Sequence, residues 1–139
     1  MHQVLHLRMP QAITPIARAF KTRQFSKAAK KAAIADEELC EAIQQVMRGQ
    51  VDDLGGGVFK KRLNKNDHRA IILAKGGKHW IYEYLFAKKD RDNIKDDELT
   101  AFKELAKSYA KLAAHQLAQL LLDKHLVEIC HAQKHQVQE

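Results

Sequence analysis

Two segments in the first third of the chain carry hydrophobic residues at helical spacing. Thr22 is a typical N-cap residue, and one face of the segment that follows it holds Phe25, Ala28, Ala29, Ala32 and Ala33. Asp36 is predicted to cap a second helix that ends just before Gly49. Its inward face is predicted to hold Leu39, Cys40, Ile43, Val46 and Met47. The short connection predicts that the two helices form an antiparallel hairpin.

The middle of the chain changes to the alternation that is typical of β-strands. Strands are predicted over residues 58–63, 69–75 and 78–87, with a turn at 54–57 and a two-residue hairpin at 76–77. Alternation in the third strand predicts one aromatic stripe, interpreted as core, made of Trp80, Tyr82, Tyr84 and Phe86. Residues 16–21 are predicted as an edge strand, and residues 126–129 as a further short strand.

A helix capped by Asp96 or Asp97 is predicted to carry hydrophobic residues from Leu99 to Leu112, and residues 116–123 continue it or form a short helix. The element order predicts an α+β fold with an N-terminal helical hairpin, an antiparallel sheet and a C-terminal helix. The helices are predicted to pack on one face of the sheet. We expect one domain over residues 16–130, a flexible lead over 1–15 and a flexible tail over 131–139.

The composition favours a soluble globular chain, with 45% hydrophobic and 29% charged residues among 139. No apolar run approaches the roughly 20 residues that span a bilayer, so no membrane association is expected. The two cysteines, Cys40 and Cys130, are too few for a disulfide framework and favour a reducing, cytoplasmic location. Cys40 is predicted to be inert on the inward face of its helix.

The formal net charge is +7, and it is concentrated in the middle of the chain. Residues 58–95 contain eleven basic and four acidic residues, so this segment carries as much positive charge as the whole molecule. A concentrated positive field attracts polyanions, because neutralising phosphates releases condensed counterions. Charge alone is equally consistent with a solvated lysine surface.

The basic residues of the predicted strands are arranged for RNA cleavage without a metal. Alternation places Lys60 and Arg62 on one face of the first strand and Lys61 on the other, while Arg69 opens the neighbouring strand. Arginine holds phosphate but cannot act as a base, whereas a lysine crowded by cations or the histidine beside Arg69 can exchange protons. The candidate catalytic residues are Lys60, Arg62, Arg69 and His68. The candidate RNA-binding residues are Lys61, Lys88, Lys89, Arg91 and Lys95. No metal site and no cofactor are expected.

Several strings resemble a RelE/HigB-type toxin of bacterial toxin–antitoxin modules. They are residues 20–25 (FKTRQF), 36–42 (DEELCEA), 53–62 (DLGGGVFKKR), 86–88 (FAK) and 91–94 (RDNI). The resemblance runs from about Phe20 to Ile129 and implies a small microbial ribonuclease-like fold. It also implies cleavage of mRNA on translating ribosomes and neutralisation by a cognate antitoxin, expected to be a helix-turn-helix protein. By position, the family's basic catalytic set falls on Lys60, Arg62 and Arg69, with support from Lys88, Lys89 and Arg91.

The chain departs from this family pattern in three places. The loop before Arg69 is short, His68 stands where relatives carry an aromatic residue, and Lys95 stands where some carry a functional tyrosine. These departures leave open a non-catalytic or decayed toxin of the same fold that binds a protein target such as DNA gyrase. A basic RNA- or ribosome-binding module that causes no damage is a further alternative.

Overall fold

The computed structural model describes residues 17–76 and 78–131, and within them the chain forms an α+β fold with six strands and four helices. The strands are β1 (Arg18–Thr22), β2 (Asp52–Gly55), β3 (Val58–Leu63), β4 (His68–Lys75), β5 (His79–Ala87) and β6 (Leu126–Ile129). The helices are α1 (Arg23–Lys31), α2 (Asp36–Met47), α3 (Asp96–Ala110) and α4 (Ala114–Leu122). The predicted lead and all but the first residue of the predicted tail lie outside the described residues, as does Gly77 of the predicted hairpin.

The strands form one sheet in the order β2-β3-β4-β5-β1-β6. β1 pairs parallel to β5, and every other neighbouring pair is antiparallel. The strands predicted at 58–63, 69–75, 78–87 and 126–129 are confirmed within one residue. Residues 18–21 of the segment predicted as an edge strand belong to β1, but β1 is not an edge strand, because β6 pairs along its outer side. The turn predicted at 54–57 is shorter, since β2 extends through Gly55.

The helices cover both faces of the sheet, so the prediction that they share one face is wrong. Buried side chains of α1 and α2 form one cluster with Ala70 and Ile72 of β4. On the opposite face, α3 packs against Ile71 and Leu73 of the same strand. Four consecutive fully buried residues are typical of a strand that is covered on both sides. That run of apolar residues is the sequence signal for a three-layered fold.

A β-bulge in β5 divides the predicted aromatic stripe between the two faces. Ile71 and Ile72 are neighbours in β4, yet they pair with Tyr84 and Tyr82, so Glu83 is an extra residue in β5. The extra residue inverts the alternation of side chains beyond it. Trp80 and Tyr82 consequently face α1 and α2, while Tyr84 and Phe86 face α3. The single stripe predicted from the sequence is therefore wrong.

Two tyrosines make hydrogen bonds near this bulge, one of them buried and the other partly buried. The Tyr82 hydroxyl donates to the Leu39 carbonyl of α2 over 2.7 Å, and burial raises the pKa of this phenol. On the other face, the Tyr109 hydroxyl of α3 donates to the Glu83 carboxylate over 3.2 Å. Burial raises the pKa of Glu83, because a carboxylate in this position has lost most of its water. The bulge thus contacts helices of both outer layers.

The helix ends differ in detail from their predicted positions. Thr22 caps α1 as predicted, and its hydroxyl accepts the Phe25 N–H. Ala35 occupies the N-cap of α2, so Asp36 lies in the first turn instead, where its charge complements the helix dipole. Met47 is 47% exposed and is not part of the inward face. Lys95 is the N-cap of α3, and the Glu98 carboxylate accepts its N–H.

The structure also bears on what the composition predicted about the cysteines and about membrane-spanning helices. Cys40 of α2 and Cys130, which follows β6, form a disulfide with a Cα–Cα distance of 5.3 Å, so the prediction that Cys40 is inert is wrong. The pairing was not visible in the sequence, because 90 positions separate the two residues. No helix in the described part of the chain is long and apolar enough to cross a membrane.

We predict that Glu83 makes stability depend on pH. Because burial raises its pKa in the folded state, its contribution is fully present below the unfolded value, near 4.3, and is lost as pH rises through the folded value. Glu83→Gln keeps an acceptor for Tyr109 but carries no charge. We therefore expect the variant to gain thermal stability relative to the native chain at pH 7, by about 1 kcal/mol.

The measurement is the melting temperature of both proteins at pH 4 and at pH 7. The control is Glu104→Gln, which removes a carboxylate from the exposed side of α3. A Glu83→Gln advantage that is equal at both pH values would contradict the assignment.

Candidate functional site

Strand pairing places three cations on one face of the sheet. Arg62 of β3 lies directly opposite Arg69 of β4, and directly paired residues point to the same side of an antiparallel sheet. Lys60 lies two residues before Arg62 and therefore shares this face. It is the face that α3 covers further along the strands. Among the residues that the structure describes, no carboxylate lies within 4.0 Å of the charged nitrogens of these three side chains. We call Lys60, Arg62 and Arg69 the cationic row.

The turn between β3 and β4 orients Arg69. Its Nη1 donates to the carbonyl oxygens of Asn66 and His68 over 3.0 and 3.1 Å. Asn64, Lys65 and Asn66 all have positive φ angles, of 54°, 53° and 75°. Such a run of left-handed residues needs outside support, and the Glu38 carboxylate of α2 supplies it by accepting the Asn64 N–H. The helical layer on the far face therefore supports the turn that holds Arg69.

The loop after β5 contacts the cationic row through Asn93. Asn93 Oδ1 accepts a hydrogen bond from Lys60 Nζ over 3.2 Å and a second one from the Ile94 N–H. The amide is neutral, so it fixes the position of the ammonium group without cancelling its charge. Asn93 belongs to the string that carries the family resemblance, but the strand pattern alone gave no reason to connect it with Lys60.

Arg91 is placed differently from the cationic row, because its charge is paired. Its guanidinium binds both carboxylate oxygens of Glu98 and donates to the Tyr84 hydroxyl over 3.1 Å. It also lies over the Tyr84 and Phe86 rings, at 5.9 and 5.6 Å from their centroids. The hydrogen bond from Arg91 lowers the pKa of Glu98, so this pair stays ionised at neutral pH. Arg91 thus joins the loop after β5 to the first turn of α3.

Two other candidate residues lie on the opposite face of the sheet. Lys61 points to the side of α2, and its Nζ donates to the carbonyl of Gln50, just after that helix, over 2.9 Å. Burial lowers the pKa of Lys61, and the nearby positive charge of Arg48 lowers it further. His68 pairs with Leu63 and shares its face, with Nδ1 3.1 Å from the Asn64 amide nitrogen. The structure therefore separates the His68 side chain from those of Arg62 and Arg69, although His68 is adjacent to Arg69 in sequence.

The remaining basic candidates lie at the end of the sheet. Lys88 and Lys89 are exposed and line an open cleft together with His68 and Asp67. The Lys88 N–H donates to the Asp67 carbonyl, which ties the two turns together at this end. Lys95 is exposed at the start of α3. Within residues 17–76 and 78–131, no group of three or more histidine, cysteine, aspartate or glutamate side chains is close enough to hold a metal ion.

The site includes residues that the sequence patterns did not single out. Tyr84 was assigned to the core, yet its hydroxyl contacts Arg91 and its ring stacks on Phe86 and Phe102. Glu98 has no place in the sequence patterns, yet it binds Arg91 through both carboxylate oxygens. The strand register is needed to find such residues. Their contacts either join positions that are distant in sequence or depend on the bulge at Glu83.

A family model described as the RelE toxin of the RelE/RelB toxin–antitoxin system matches residues 17–129. Searches of curated proteins and of solved structures gave no match. The family match begins one residue before β1 and ends at the last residue of β6, so it includes the strands that carry the cationic row and the helices on both faces. On this match over most of its length, the chain belongs to the RelE toxin family of toxin–antitoxin systems.

Proposed function

We propose that this toxin is an endoribonuclease that cleaves mRNA on translating ribosomes, without a metal, at the cationic row. The observation that carries the proposal is the pair formed by Arg62 and Arg69, which lie side by side on paired strands with no carboxylate partner among the described residues. Two planar guanidinium groups on one rigid sheet suit the oxygens of a single phosphodiester. Membership of the family supplies the toxin assignment.

The proposed reaction is attack of a ribose 2′-hydroxyl on the adjacent phosphorus. The 2′-oxygen loses a proton as its bond to phosphorus forms, and the 5′-oxygen gains a proton as its bond breaks. The products are a 2′,3′-cyclic phosphate and a 5′-hydroxyl. Extra negative charge develops on the phosphorane oxygens in between, and preorganised cations stabilise that charge more than they stabilise the starting phosphodiester. Arg62 and Arg69 fill this role.

Lys60 is proposed to exchange a proton with the reacting oxygens. Arginine does not deprotonate in proteins, so neither guanidinium of the row can do so. The neutral Asn93 amide holds the Lys60 ammonium in place through one of its three protons. Lys88, Lys89 and His68 are proposed to contact the RNA beside the scissile nucleotide, because they line the cleft at the end of the same strands. Lys61, Arg91 and Lys95 are proposed to contact the RNA further from the scissile nucleotide.

Membership of the family also implies an antitoxin partner. We propose that this partner is a small helix-turn-helix protein that presents acidic side chains to the cationic row. Such a partner neutralises the toxin by occupying the groups that bind RNA phosphate, and co-purification of the two chains tests for it.

We predict that Arg62→Ala and Arg69→Ala each abolish growth arrest on induction and lower the rate of mRNA cleavage by about 10²–10³, which is typical for loss of one donor to a developing charge. The measurements are growth after controlled induction and mapping of mRNA 5′ ends. Lys30→Ala is a matched control, because Lys30 is an exposed cation of α1 in the helical layer on the opposite face. Circular dichroism confirms that the variants fold. Growth arrest with new mRNA ends in both arginine variants would refute the site.

We also predict the chemistry of the products. Cleavage through the 2′-oxygen leaves a 5′-hydroxyl, which polynucleotide kinase labels without prior phosphatase treatment. An mRNA with one 2′-deoxy nucleotide at the scissile position is expected to resist cleavage there while its other sites are still cut. Products with 5′-phosphates, or cleavage of the deoxy substrate at the same rate, would show that water is the nucleophile. Growth arrest without any new mRNA ends would favour a protein target such as DNA gyrase.

A further inference from the structure

We propose that Cys40 and Cys130 form a reversible thiol–disulfide site that fastens the C-terminal end of β6 to α2 and exchanges with low-molecular-weight disulfides. The inference does not depend on the ribonuclease proposal, because neither cysteine touches the cationic row. Both side chains are partly exposed, so small thiols and disulfides have access to them. Partial exposure distinguishes exchangeable disulfides from those sealed in a core.

The two ends of β6 are held by different contacts. At the start of the strand, Arg23 holds the preceding turn through hydrogen bonds to the carbonyl oxygens of Asp123 and Lys124, and its N–H donates to the His125 carbonyl. At the other end, the disulfide to Cys40 anchors the residue directly after Ile129. Within the described part of the chain, β6 is an outer strand of four residues that pairs with β1 alone. A short edge strand with few pairing partners opens easily.

The backbone at Cys130 supports the same conclusion. Its φ angle is +65°, a left-handed conformation that is uncommon for a residue with a Cβ atom. Such a conformation persists when surrounding contacts fix it. With the disulfide broken, Cys130 loses the covalent link that holds this conformation, and the adjacent Glu128 and Ile129 lose their anchor. The Arg18–Glu128 ion pair then remains as the side-chain contact between charged groups that joins β6 to β1.

The exchange is balanced as follows. One thiolate of the reduced pair attacks a low-molecular-weight disulfide, forms a mixed disulfide and releases one small thiol. The second cysteine then attacks the mixed disulfide, closes the Cys40–Cys130 bond and releases the second small thiol. Two electrons and two protons pass from the protein to the oxidant. A small dithiol reverses the reaction and restores both cysteines.

The test compares hydrogen–deuterium exchange of the full chain before and after equilibration with a dithiol. We expect amides of Glu128 and Ile129 to exchange at least about tenfold faster after reduction, while those of β4 remain unchanged. Leu126, next to the Arg23 contacts, is expected to change less. The melting temperature is expected to fall by about 5 °C or more, because the bond closes a long loop.

Cys130→Ser is the matched control, since it removes the bond without a reductant. It is expected to show the fast exchange from the start and no further response to the dithiol. Alkylation of the reduced chain, after removal of the dithiol and incubation with oxidised glutathione, is expected to find no free thiol. Two alkylated thiols in that sample, stable mixed disulfides with glutathione, or β6 exchange that ignores reduction would each overturn the proposal.

Discussion

The bulge at Glu83 is the constraint on which both faces of the sheet depend. Without an extra residue in β5, strict alternation would place Trp80, Tyr82, Tyr84 and Phe86 on one side and leave the other side without an aromatic ring from β5. The bulge moves the second pair to the side of α3. Each outer helical layer then packs on two large rings, and one central strand supports two hydrophobic cores.

The same inversion prepares the environment of the cationic row. Phe86 pairs with Arg69, and Tyr84 pairs with Ile71, the partner of Lys60. On this face of the sheet, the aromatic rings of β5 therefore lie in line with the cations of β3 and β4 across the paired strands. Arg91 covers these rings and binds Glu98, so the loop that carries Asn93 is fixed beside Lys60. The bulge costs stability because it desolvates Glu83. It also allows the two faces of β5 to pack against different helical layers.

Local patterns predicted the strands well, because alternation and turn residues act over a few positions. The strand over 58–63 is an example, and alternation within it correctly separated Lys60 and Arg62 from Lys61. The same rule applied to β4 shows that His68 and Arg69, as neighbours in one strand, face opposite ways. Strand β2 was not predicted, because two of its four residues are acidic and the other two lie in the segment predicted as a glycine-rich turn. The bulge and the Cys40–Cys130 pairing depend on partners that are distant in sequence, which no local pattern contains.

The basic residues of the middle segment have two different roles, and the segment's net charge of +7 does not distinguish them. Arg91 has a carboxylate, a hydroxyl and two rings as partners, so its charge serves to join the loop to α3. Among the residues that the structure describes, the side-chain partners of Lys60 and Arg69 are all neutral: the Asn93 amide holds Lys60, and backbone carbonyls hold Arg69. Neutral acceptors orient a cation while leaving its charge available to an incoming phosphate, whereas a carboxylate has to be displaced first. The difference in partners, rather than the number of positive charges, is therefore the reason why we propose Lys60, Arg62 and Arg69 as the groups that bind and cleave RNA.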